Sequence, residues 1–371
     1  MFWTCAAGAS LIVWIYLLFA RGGFWRIKSP ASAAVQPMCR VVAVVPARNE
    51  ADVIAESIAS LLSQLMPIHV VLVDDASTDK TSEIARECGG VDKLTILRGA
   101  PLPADWTGKL WAVSQGTQEA LKLQPDYLLF TDADICHDPH NVADLVARAE
   151  ADQLDLASYM VRLSTSNLAE RALIPAFVYF FLQLYPPNWI ASPKSRTAGA
   201  AGGCILIRPA ALARIGGHAA IRGQIIDDCS LARAVKQSGG KIWMGLTANT
   251  RSIRPYDGFG EIGHMISRSA FNQLQHSALL LLATILGLVL TYVVPVAALL
   301  SHNAMAISFG TASWLLMSVT YLPMIRFYKL PRIWALSLPL VAIFYASATL
   351  HSAVQYWRGK GGVWKGRVQD V

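Results

Sequence analysis

Long apolar segments at both ends of the chain restrict what it can fold into. Residues 2–20 are almost wholly apolar, and residues 277–357 form a second apolar block. About 20 consecutive apolar residues are enough for a helix to cross a bilayer. The 371-residue chain is 54% hydrophobic and 15% charged, whereas about 25% of the residues of soluble proteins are charged. The sequence therefore predicts a membrane protein, with one transmembrane anchor within residues 1–28 and two to three helices within 277–357.

Positive charges beside these segments predict the orientation of the chain. Arg21, Arg26 and Lys28 follow the first apolar segment, whereas a cleaved signal peptide carries its charge before the apolar run. Lys and Arg next to a membrane helix are typical of the cytoplasmic side. We therefore expect a multi-pass protein of the inner (plasma) membrane, with the intervening residues 38–275 in the cytoplasm.

The last apolar segment conflicts with this rule. A basic loop at 326–332 fits the cytoplasmic side after two crossings, and the basic tail 358–371 also suits that side. A third full crossing would place the tail outside. Residues 334–357 are long enough to cross the bilayer, which favours a crossing over a re-entrant segment.

The charge and the cysteines argue against two other classes of protein. The net charge is +7 without a Lys/Arg block or a nucleic-acid motif, so we expect a lipid bilayer and no nucleic acid as partner. The six cysteines are dispersed without a Cys-x-x-Cys pair, which predicts free thiols and no zinc site. His137 and His140 bracket Asp138, where a loop or helix-cap role is favoured over a metal cluster.

Between the apolar blocks, short and mainly apolar runs, the first of them β-branched, alternate with helical segments. The runs are residues 40–45, 70–73, 94–97 and 127–130, and the helical segments are 50–64, 81–88 and 108–121. Such alternation predicts an α/β domain with a mostly parallel sheet. The loops that begin at Pro46, Asp74 and Asp132 should then open on one edge of the sheet, where α/β domains bind nucleotides.

Asp132 and Asp134 stand directly after the fourth of these strands. A turn is one explanation, because Asp side chains accept hydrogen bonds from nearby backbone N–H groups. A metal site is the other, because Mg²⁺ is held by one or two carboxylates together with substrate phosphates. The position at the carboxyl end of a strand favours the metal site.

Four segments of this domain follow one another in a characteristic order. They read VVPARNEADVIAESIASL, VVLVDDASTDKTSEIA, GKLWAVSQG and FTDAD. Together they resemble the family 2 glycosyltransferases over about residues 41–275. The resemblance implies a GT-A fold, which is an α/β domain that binds a nucleotide-sugar. The membrane layout and the segment AGAAGGCILIRPAAL look most like the bacterial hopene-associated glycosyltransferases of hopanoid biosynthesis.

The resemblance implies a set of nucleotide-binding residues. Pro46, Asn49 and Glu50 would face the nucleobase and ribose, although Asn49 and Glu50 also suit a helix start. Asp75 would contact the uracil or its ribose, with a turn residue as the alternative. Lys109 would meet the diphosphate, with a solvated surface lysine as the alternative.

The same resemblance implies the metal ligands and the base. Asp132 and Asp134 match the family DxD motif and would hold Mg²⁺ or Mn²⁺ against the diphosphate. Asp228 matches the family base, and Asp227 stands where the family has Glu. A helix cap explains one of these two residues but not both. A single base without an enzyme nucleophile predicts inversion at the sugar carbon.

The acceptor end of the domain gives weaker signals. The run 198–203 ends in Gly202 and Gly203, which fit either tight packing or a backbone approached by a sugar. Residues 171–190 are apolar but broken by prolines, and suit either an interfacial element or a buried helix. Arg268 occupies the nearest match to the family Gln/Arg-x-x-Arg-Trp pattern, without its tryptophan. It would contact the diphosphate or anchor at the membrane surface.

These residues predict an inverting, metal-dependent transfer of a sugar from a UDP-sugar to a membrane lipid hydroxyl, with a hopanoid implied by the narrower resemblance. Within the family, the alternative is a polysaccharide synthase. A non-catalytic scaffold and a nucleotidyltransferase are further alternatives. The chain keeps all four carboxylates, which argues against the scaffold, and it has no phosphate-binding loop of a nucleotidyltransferase.

Overall fold

The structure is a computed structural model that describes residues 1–27, 39–90, 92–359, 363–364 and 367–368. Lys28, Met38 and most of the basic tail 358–371 lie outside the described residues. The chain divides into two compact units. Among the described residues, the first unit comprises 1–27, 165–188 and 255–359, and the second comprises 39–90, 92–164, 189–254, 363–364 and 367–368.

The second unit contains an eight-stranded sheet in the order β3-β2-β1-β4-β7-β6-β8-β5. Its strands are β1 Val41–Ala47, β2 Ile68–Asp74, β3 Leu94–Arg98, β4 Tyr127–Phe130, β5 Ile135–Cys136, β6 Leu156–Arg162, β7 Ile205–Ile207 and β8 Ile242–Ser252. A separate two-stranded antiparallel ladder joins β9 Val363–Trp364 and β10 Arg367–Val368.

The α-helices account for most of the remaining structure. They are α1 Phe2–Phe19, α2 Ile54–Leu62, α3 Thr81–Cys88, α4 Gly108–Leu121, α5 Asn141–Ala151, α6 Leu168–Leu184, α7 Pro187–Ala191, α8 Pro209–Arg214, α9 Asp227–Gln237, α10 Gly258–Gln273, α11 Ala278–Leu288, α12 Val294–Ala297, α13 Ala304–Phe327 and α14 Leu338–Trp357. Shorter 3₁₀ turns span Gly217–Ile221, Ala298–Leu300 and Arg332–Leu336, and a π-turn spans Val289–Val293.

The predicted α/β architecture is confirmed. Strands β1, β2, β3 and β4 run parallel, and β7 and β5 pair antiparallel with their neighbours. Every residue of β1 is buried, as expected for a central strand covered on both faces. Ala47 lies opposite Asp74, and Val44 lies opposite Phe130. The loops that follow these strands therefore start at one edge of the sheet.

Strand β1 continues through Pro46, where the sequence predicted that it would stop. Pro46 has no N–H to donate to a neighbouring strand. The Val44 carbonyl faces β4 and accepts the N–H of Thr131, so Pro46, two residues later, faces the same side. Because β4 pairs with β1 only as far as Val44, the missing donor leaves no ladder bond unmade.

Helix α4 lies close against the sheet at Gly116. An added Cβ there would lie 2.5 Å from Val44 Cγ1 and 2.8 Å from Val73 Cγ2. We therefore expect Gly116→Ala to destabilise the protein by about 1–3 kcal/mol, the usual cost of an overpacked core. Thermal unfolding in detergent, followed by circular dichroism, measures the change.

Gly260→Ala on α10 is the matched control for this prediction. No atom lies within 4 Å of a Cβ placed at Gly260. Ala favours a helix over Gly by up to about 1 kcal/mol, so this variant should melt at the wild-type temperature or slightly above. Equal melting temperatures for the two variants would contradict the tight contact at Gly116.

The first unit is built from long apolar helices. Five helices of the described residues are long and apolar enough to cross a membrane, namely Phe2–Phe19, Leu168–Ala191, Ala278–Leu300, Ala304–Phe327 and Leu338–Trp357. Polar contacts join some of them. Trp14 Nε1 donates to the Thr291 carbonyl at 2.8 Å, and the Tyr179 hydroxyl lies 2.8 Å from Thr320 Oγ1. The direction in which α14 runs relative to a bilayer stays a prediction.

The first unit also takes in two segments from the predicted domain 38–275. Residues 165–188 form α6, which Asn167 and Glu170 open with a reciprocal capping box. Residues 255–275 contain α10, on which Arg268 lies. The predicted boundaries of that domain stay a prediction, because a compact unit here is assembled from separate stretches of the chain.

Candidate functional site

Lys109 lies between the two pairs of carboxylates that the sequence singled out. Its Nζ is 2.8 Å from Asp132 Oδ1 and 3.6 Å from Asp227 Oδ2. Burial acts to lower the pKa of Lys109, but the charges of Asp132 and Asp227 outweigh it and hold the pKa above its ordinary value. The lysine is therefore charged at neutral pH, and it is a paired residue of the site instead of a solvated surface lysine.

Asp228 lies beside this lysine with both carboxylate oxygens bound to the backbone. Oδ2 accepts the N–H of Gly202 at 3.0 Å, and Oδ1 accepts the N–H of Cys229 at 2.7 Å. Burial and the neighbouring charge of Asp227 raise the pKa of Asp228 to about 6. A carboxylate with this pKa is mostly ionised at pH 7 and can accept a proton from a substrate.

The acidic pair opens helix α9, which begins at Asp227. Both carboxylates lie in the first turn, where the helix dipole stabilises negative charge. The residue at the N-cap is Ile226, and no side chain caps this helix. Neither aspartate therefore acts as a side-chain cap.

Asp134 is bound by residues at the end of β8 and just after it. Ser252 Oγ donates to Asp134 Oδ2 at 3.1 Å, and Arg254 Nε lies 3.7 Å from the same oxygen. Arg254 also forms an ion pair with Glu50. Burial and the charge of Asp132 raise the pKa of Asp134. Arg254 thus links the predicted metal ligand to the predicted nucleotide loop.

The loops after β1 and β2 are bound to each other. Asn49 Oδ1 accepts the N–H of Thr78 at 2.8 Å, and Ser77 Oγ accepts the N–H of Asn49 at 3.0 Å. Helix α2 begins at Ile54 and has no side-chain cap, so Asn49 is not its N-cap. Asn49 joins the two loops instead.

Asp75 is buried next to this junction. It is 3% exposed, and its carboxylate lies 3.8 Å from Arg48 Nη1. The turn role falls to Asp74, whose Oδ1 accepts the N–H of Ser77 at 2.9 Å. The geometry therefore separates the two neighbouring aspartates, and Asp75 stays the candidate for nucleotide contact.

Gly202 and Gly203 have different surroundings. A Cβ at Gly202 would lie 3.3 Å from Lys109 Nζ and 3.6 Å from Asp228 Oδ2. A Cβ at Gly203 would lie 3.0 Å from Val161 Cγ2. Of the two explanations that the sequence left open, tight packing fits Gly203, whereas Gly202 adjoins the charged groups and stays the candidate for close approach of a sugar.

A buried chain of hydrogen bonds positions the Gly202–Gly203 turn. Asn141 Nδ2 donates to His137 Nδ1 at 3.0 Å, and His137 Nε2 lies 2.9 Å from Thr131 Oγ1. Thr131 donates in turn to the Gly203 carbonyl at 2.8 Å. Burial lowers the pKa of His137 to about 3, so the ring is neutral. His137 is a structural residue of this network, and no metal-cluster role is needed to explain it.

One pocket joins several of these side chains. Its lining combines apolar residues with four charged ones. It is formed by Pro46, Lys109, Leu110, Val113, Phe130, Thr131, Asp132, Gly202, Ile205, His218, Ile221, Asp227, Asp228 and Leu231. Among the predicted residues, Asn49, Glu50, Asp75, Asp134 and Gly203 lie outside this lining, and Arg268 belongs to the first unit.

The donor set at the end of β4 fits a hard divalent cation. No group of three or more His, Cys, Asp or Glu side chains suited to a metal occurs among the described residues. Mg²⁺ commonly takes only one or two carboxylates and completes its shell with water and substrate phosphates. Asp132 and Asp134 meet that requirement, and Lys109 and Arg254 neutralise them in the structure.

A comparison with known sequence families supports the kind of chemistry that this site indicates. Residues 42–216 match the model described as Glycosyl transferase family 2. These residues form a family 2 glycosyltransferase domain. The match covers β1 to β7, including the loops after β1, β2 and β4, and it ends before the acidic pair at Asp227.

Curated relatives are similar in sequence to part of this chain, and a solved structure is similar in fold. The chain is 34% identical over 94 residues to the 4,4'-diaponeurosporenoate glycosyltransferase of Staphylococcus aureus, and 36% over 93 residues to that of Staphylococcus haemolyticus. Each match covers 25% of this chain and spans only 23% of the relative. A mannosyltransferase from Pyrobaculum calidifontis, in complex with GDP-Man and Mn2+, aligns with a TM-score of 0.56 at 20% identity, over 93% of this chain and 99% of that chain. This likeness shows that the fold is shared.

Proposed function

We propose that this glycosyltransferase moves a sugar from a UDP-sugar to a hydroxyl of a membrane lipid, with inversion, and that it uses Mg²⁺ or Mn²⁺. The observation that carries the proposal is the pocket that places Lys109 and Asp132 beside Asp228. A nucleotide-sugar needs cationic groups near its diphosphate and a base near its anomeric carbon. The pocket lining provides both, with Lys109 as the cationic group and Asp228 as the base.

Loops after neighbouring strands hold the donor in this proposal. Pro46, Asn49, Glu50 and Asp75 take the nucleobase and ribose at the edge where β1 and β2 end. Lys109 meets the diphosphate as a point charge. Asn49 and its partners bind the two loops together, so the nucleotide would meet an ordered surface.

Asp132 and Asp134 hold the divalent cation in this proposal. When bound, such a cation offsets the negative charge that develops on the departing diphosphate. The Pyrobaculum calidifontis structure contains Mn2+ and GDP-Man, which supports a metal in this fold. It also makes a GDP-sugar the first alternative donor to test.

Asp228 acts as the base in this proposal, and the charge of Asp227 helps to raise the pKa of Asp228. The acceptor oxygen forms a bond to the anomeric carbon as the bond from that carbon to the diphosphate oxygen breaks. The acceptor proton passes to Asp228, and the nucleoside diphosphate leaves with the bonding electrons. A single displacement of this kind inverts the configuration at the anomeric carbon.

An apolar acceptor in the membrane is supported by two observations. The described residues include five helices of membrane-spanning length and composition. The relatives from Staphylococcus are named for 4,4'-diaponeurosporenoate, which is a carotenoid acid and therefore a long apolar molecule. A hopanoid is the finer proposal, because the segment AGAAGGCILIRPAAL and the membrane layout resemble the hopene-associated enzymes.

Release of UDP tests this proposal directly. Purified full-length protein in detergent is mixed with a panel of UDP-sugars, Mg²⁺ or Mn²⁺, and total bacterial lipid extract. We expect release that requires the lipid and that EDTA abolishes. In a parallel reaction with GDP-Man, release of GDP without any release of UDP from the UDP-sugars would replace the proposed donor. Release of the nucleoside diphosphate without lipid would indicate hydrolysis instead of transfer. Persistent release in EDTA would contradict the metal requirement.

Product length separates the proposal from a polysaccharide synthase. A single transfer gives a lipid with one added sugar, whereas a synthase gives a ladder of products. Mass spectrometry of the lipid fraction after the same reaction distinguishes the two. A series of masses spaced by one sugar residue would favour the synthase.

A further inference from the structure

His218 carries a buried ring nitrogen that has no hydrogen-bond partner in the described part of the chain. The side chain is 4% exposed, and the unpartnered atom is Nδ1. The other ring nitrogen, Nε2, lies 3.0 Å from Thr117 Oγ1. Buried polar atoms are nearly always hydrogen-bonded in native proteins. The lack of a partner for Nδ1 of His218 therefore needs an explanation other than packing.

The contacts of Thr117 determine which nitrogen of His218 carries the proton. Thr117 Oγ1 donates its single proton to the Val113 carbonyl at 2.8 Å. The same oxygen can therefore only accept from His218, so Nε2 carries the proton and Nδ1 carries a lone pair. Burial lowers the pKa of His218 to about 4, and the ring is neutral at pH 7. Nδ1 is thus a hydrogen-bond acceptor.

The imidazole is also held in a fixed orientation. Gly216 and Gly217, directly before it, adopt φ of 86° and 70°, which only glycine takes readily. The Phe130 ring packs edge-on against the imidazole at a centroid distance of 5.0 Å. A fixed acceptor loses little entropy when it binds a ligand.

His218 lines the same pocket as the charged groups. That pocket also contains Lys109, Asp132 and Asp228, while Val113 and Ile221 contribute apolar surface near the histidine. The one other neutral polar side chain of the lining, Thr131, already donates to the Gly203 carbonyl. His218 is thus the one neutral side chain of the described lining that keeps a hydrogen-bond acceptor without a partner.

We propose that Nδ1 of His218 accepts a hydrogen bond from one hydroxyl of the donor sugar and so helps to select that sugar. The inference rests on the proposed function. Phosphate oxygens only accept hydrogen bonds at neutral pH, so the diphosphate cannot fill this role. A sugar combines hydroxyl donors with apolar C–H surface, which matches a pocket lining that combines this acceptor side chain with apolar residues. A site built around such a hydrogen bond discriminates strongly against an analogue that lacks the hydroxyl.

Two variants separate the two ring nitrogens. His218→Gln keeps an amide donor that can reach Thr117 but removes the acceptor at Nδ1. His218→Asn keeps an acceptor oxygen near the Nδ1 position. Isothermal titration of the full chain in detergent, with UDP and with the UDP-sugar that the release assay identifies, gives the affinities. Circular dichroism and thermal unfolding show that each variant is folded.

His218→Gln should bind the UDP-sugar about tenfold more weakly, the typical effect of one lost hydrogen bond, and should bind UDP as the wild type does. His218→Asn should recover part of the loss. A deoxy-sugar analogue that lacks the recognised hydroxyl should show the tenfold loss with the wild type and no further loss with His218→Gln, because the two changes remove one interaction.

The outcomes distinguish this inference from the function on which it rests. An unchanged ratio of UDP-sugar to UDP affinity in His218→Gln, with lipid-dependent UDP release intact in the wild type, overturns the role of His218 alone. It would mean that a water molecule or packing satisfies Nδ1. A wild-type protein that neither binds a UDP-sugar nor releases UDP overturns both.

Discussion

Asp228→Asn is expected to lower the turnover number about 1,000-fold, because general-base catalysis commonly contributes about 100- to 10,000-fold. Asn keeps the size of the side chain and an oxygen that can accept the N–H of Gly202, but it cannot take a proton. UDP affinity should stay close to that of the wild type. Steady-state UDP release and UDP titration measure the two effects. Turnover within threefold of wild type would show that another group is the base.

The same residue sets the expected pH dependence. A base must be ionised to act, and the pKa of Asp228 is raised to about 6. The kcat/KM should therefore be constant above pH 7 and fall about tenfold for each pH unit below 6. Asp227→Asn removes a neighbouring negative charge that raises this pKa, so the acid limb should move to lower pH. If the acid limb of the pH profile of Asp227→Asn stays at the wild-type pH, the two carboxylates are not coupled.

The parallel half of the sheet could be predicted because its signals are local. Strand β4 and helix α4 have the bounds that the sequence predicted, at 127–130 and 108–121. A buried parallel strand is apolar throughout, so β1 and β2 are visible in a short window of sequence. Strand β8 begins with alternating buried and partly buried residues and then continues through polar ones. A short window of sequence therefore does not reveal this strand.

Most candidate site residues came from the resemblance, whereas Asp132 and Asp134 also followed from their position after a strand. Arg254 lies 3.7 Å from Asp134, but the two residues are far apart in sequence. They meet because Ile135 pairs with Ser252 across β5 and β8. Such long-range pairing leaves no mark in a single sequence. Only a prediction that β5 pairs with β8 would have placed Arg254 beside Asp134.

The two glycines show a second kind of limit. Gly202 and Gly203 are adjacent and identical, yet one adjoins the charged groups and the other meets Val161. Composition cannot distinguish the two glycines, because they differ in the direction in which a Cβ at each position would point. Residues 165–188 show a third limit, since a segment between two parts of the α/β unit packs with the apolar helices instead.

Asp134→Asn is expected to reduce metal-dependent turnover about 1,000-fold. A catalytic divalent cation commonly supplies several kcal/mol of transition-state stabilisation, and each 1.4 kcal/mol is about tenfold in rate. The amide keeps the acceptor for Ser252 Oγ but loses the charge that attracts both the metal and Arg254. Electron paramagnetic resonance with Mn²⁺ and UDP should show weaker metal binding, which is independent of any activity measurement.

Asp138→Asn is the matched control, because Asp138 Oδ1 accepts the backbone N–H of His140 and an amide oxygen can do the same. If both variants bind Mn²⁺ as the wild type does, Asp134 is not a ligand, and its bond to Arg254 would then be structural.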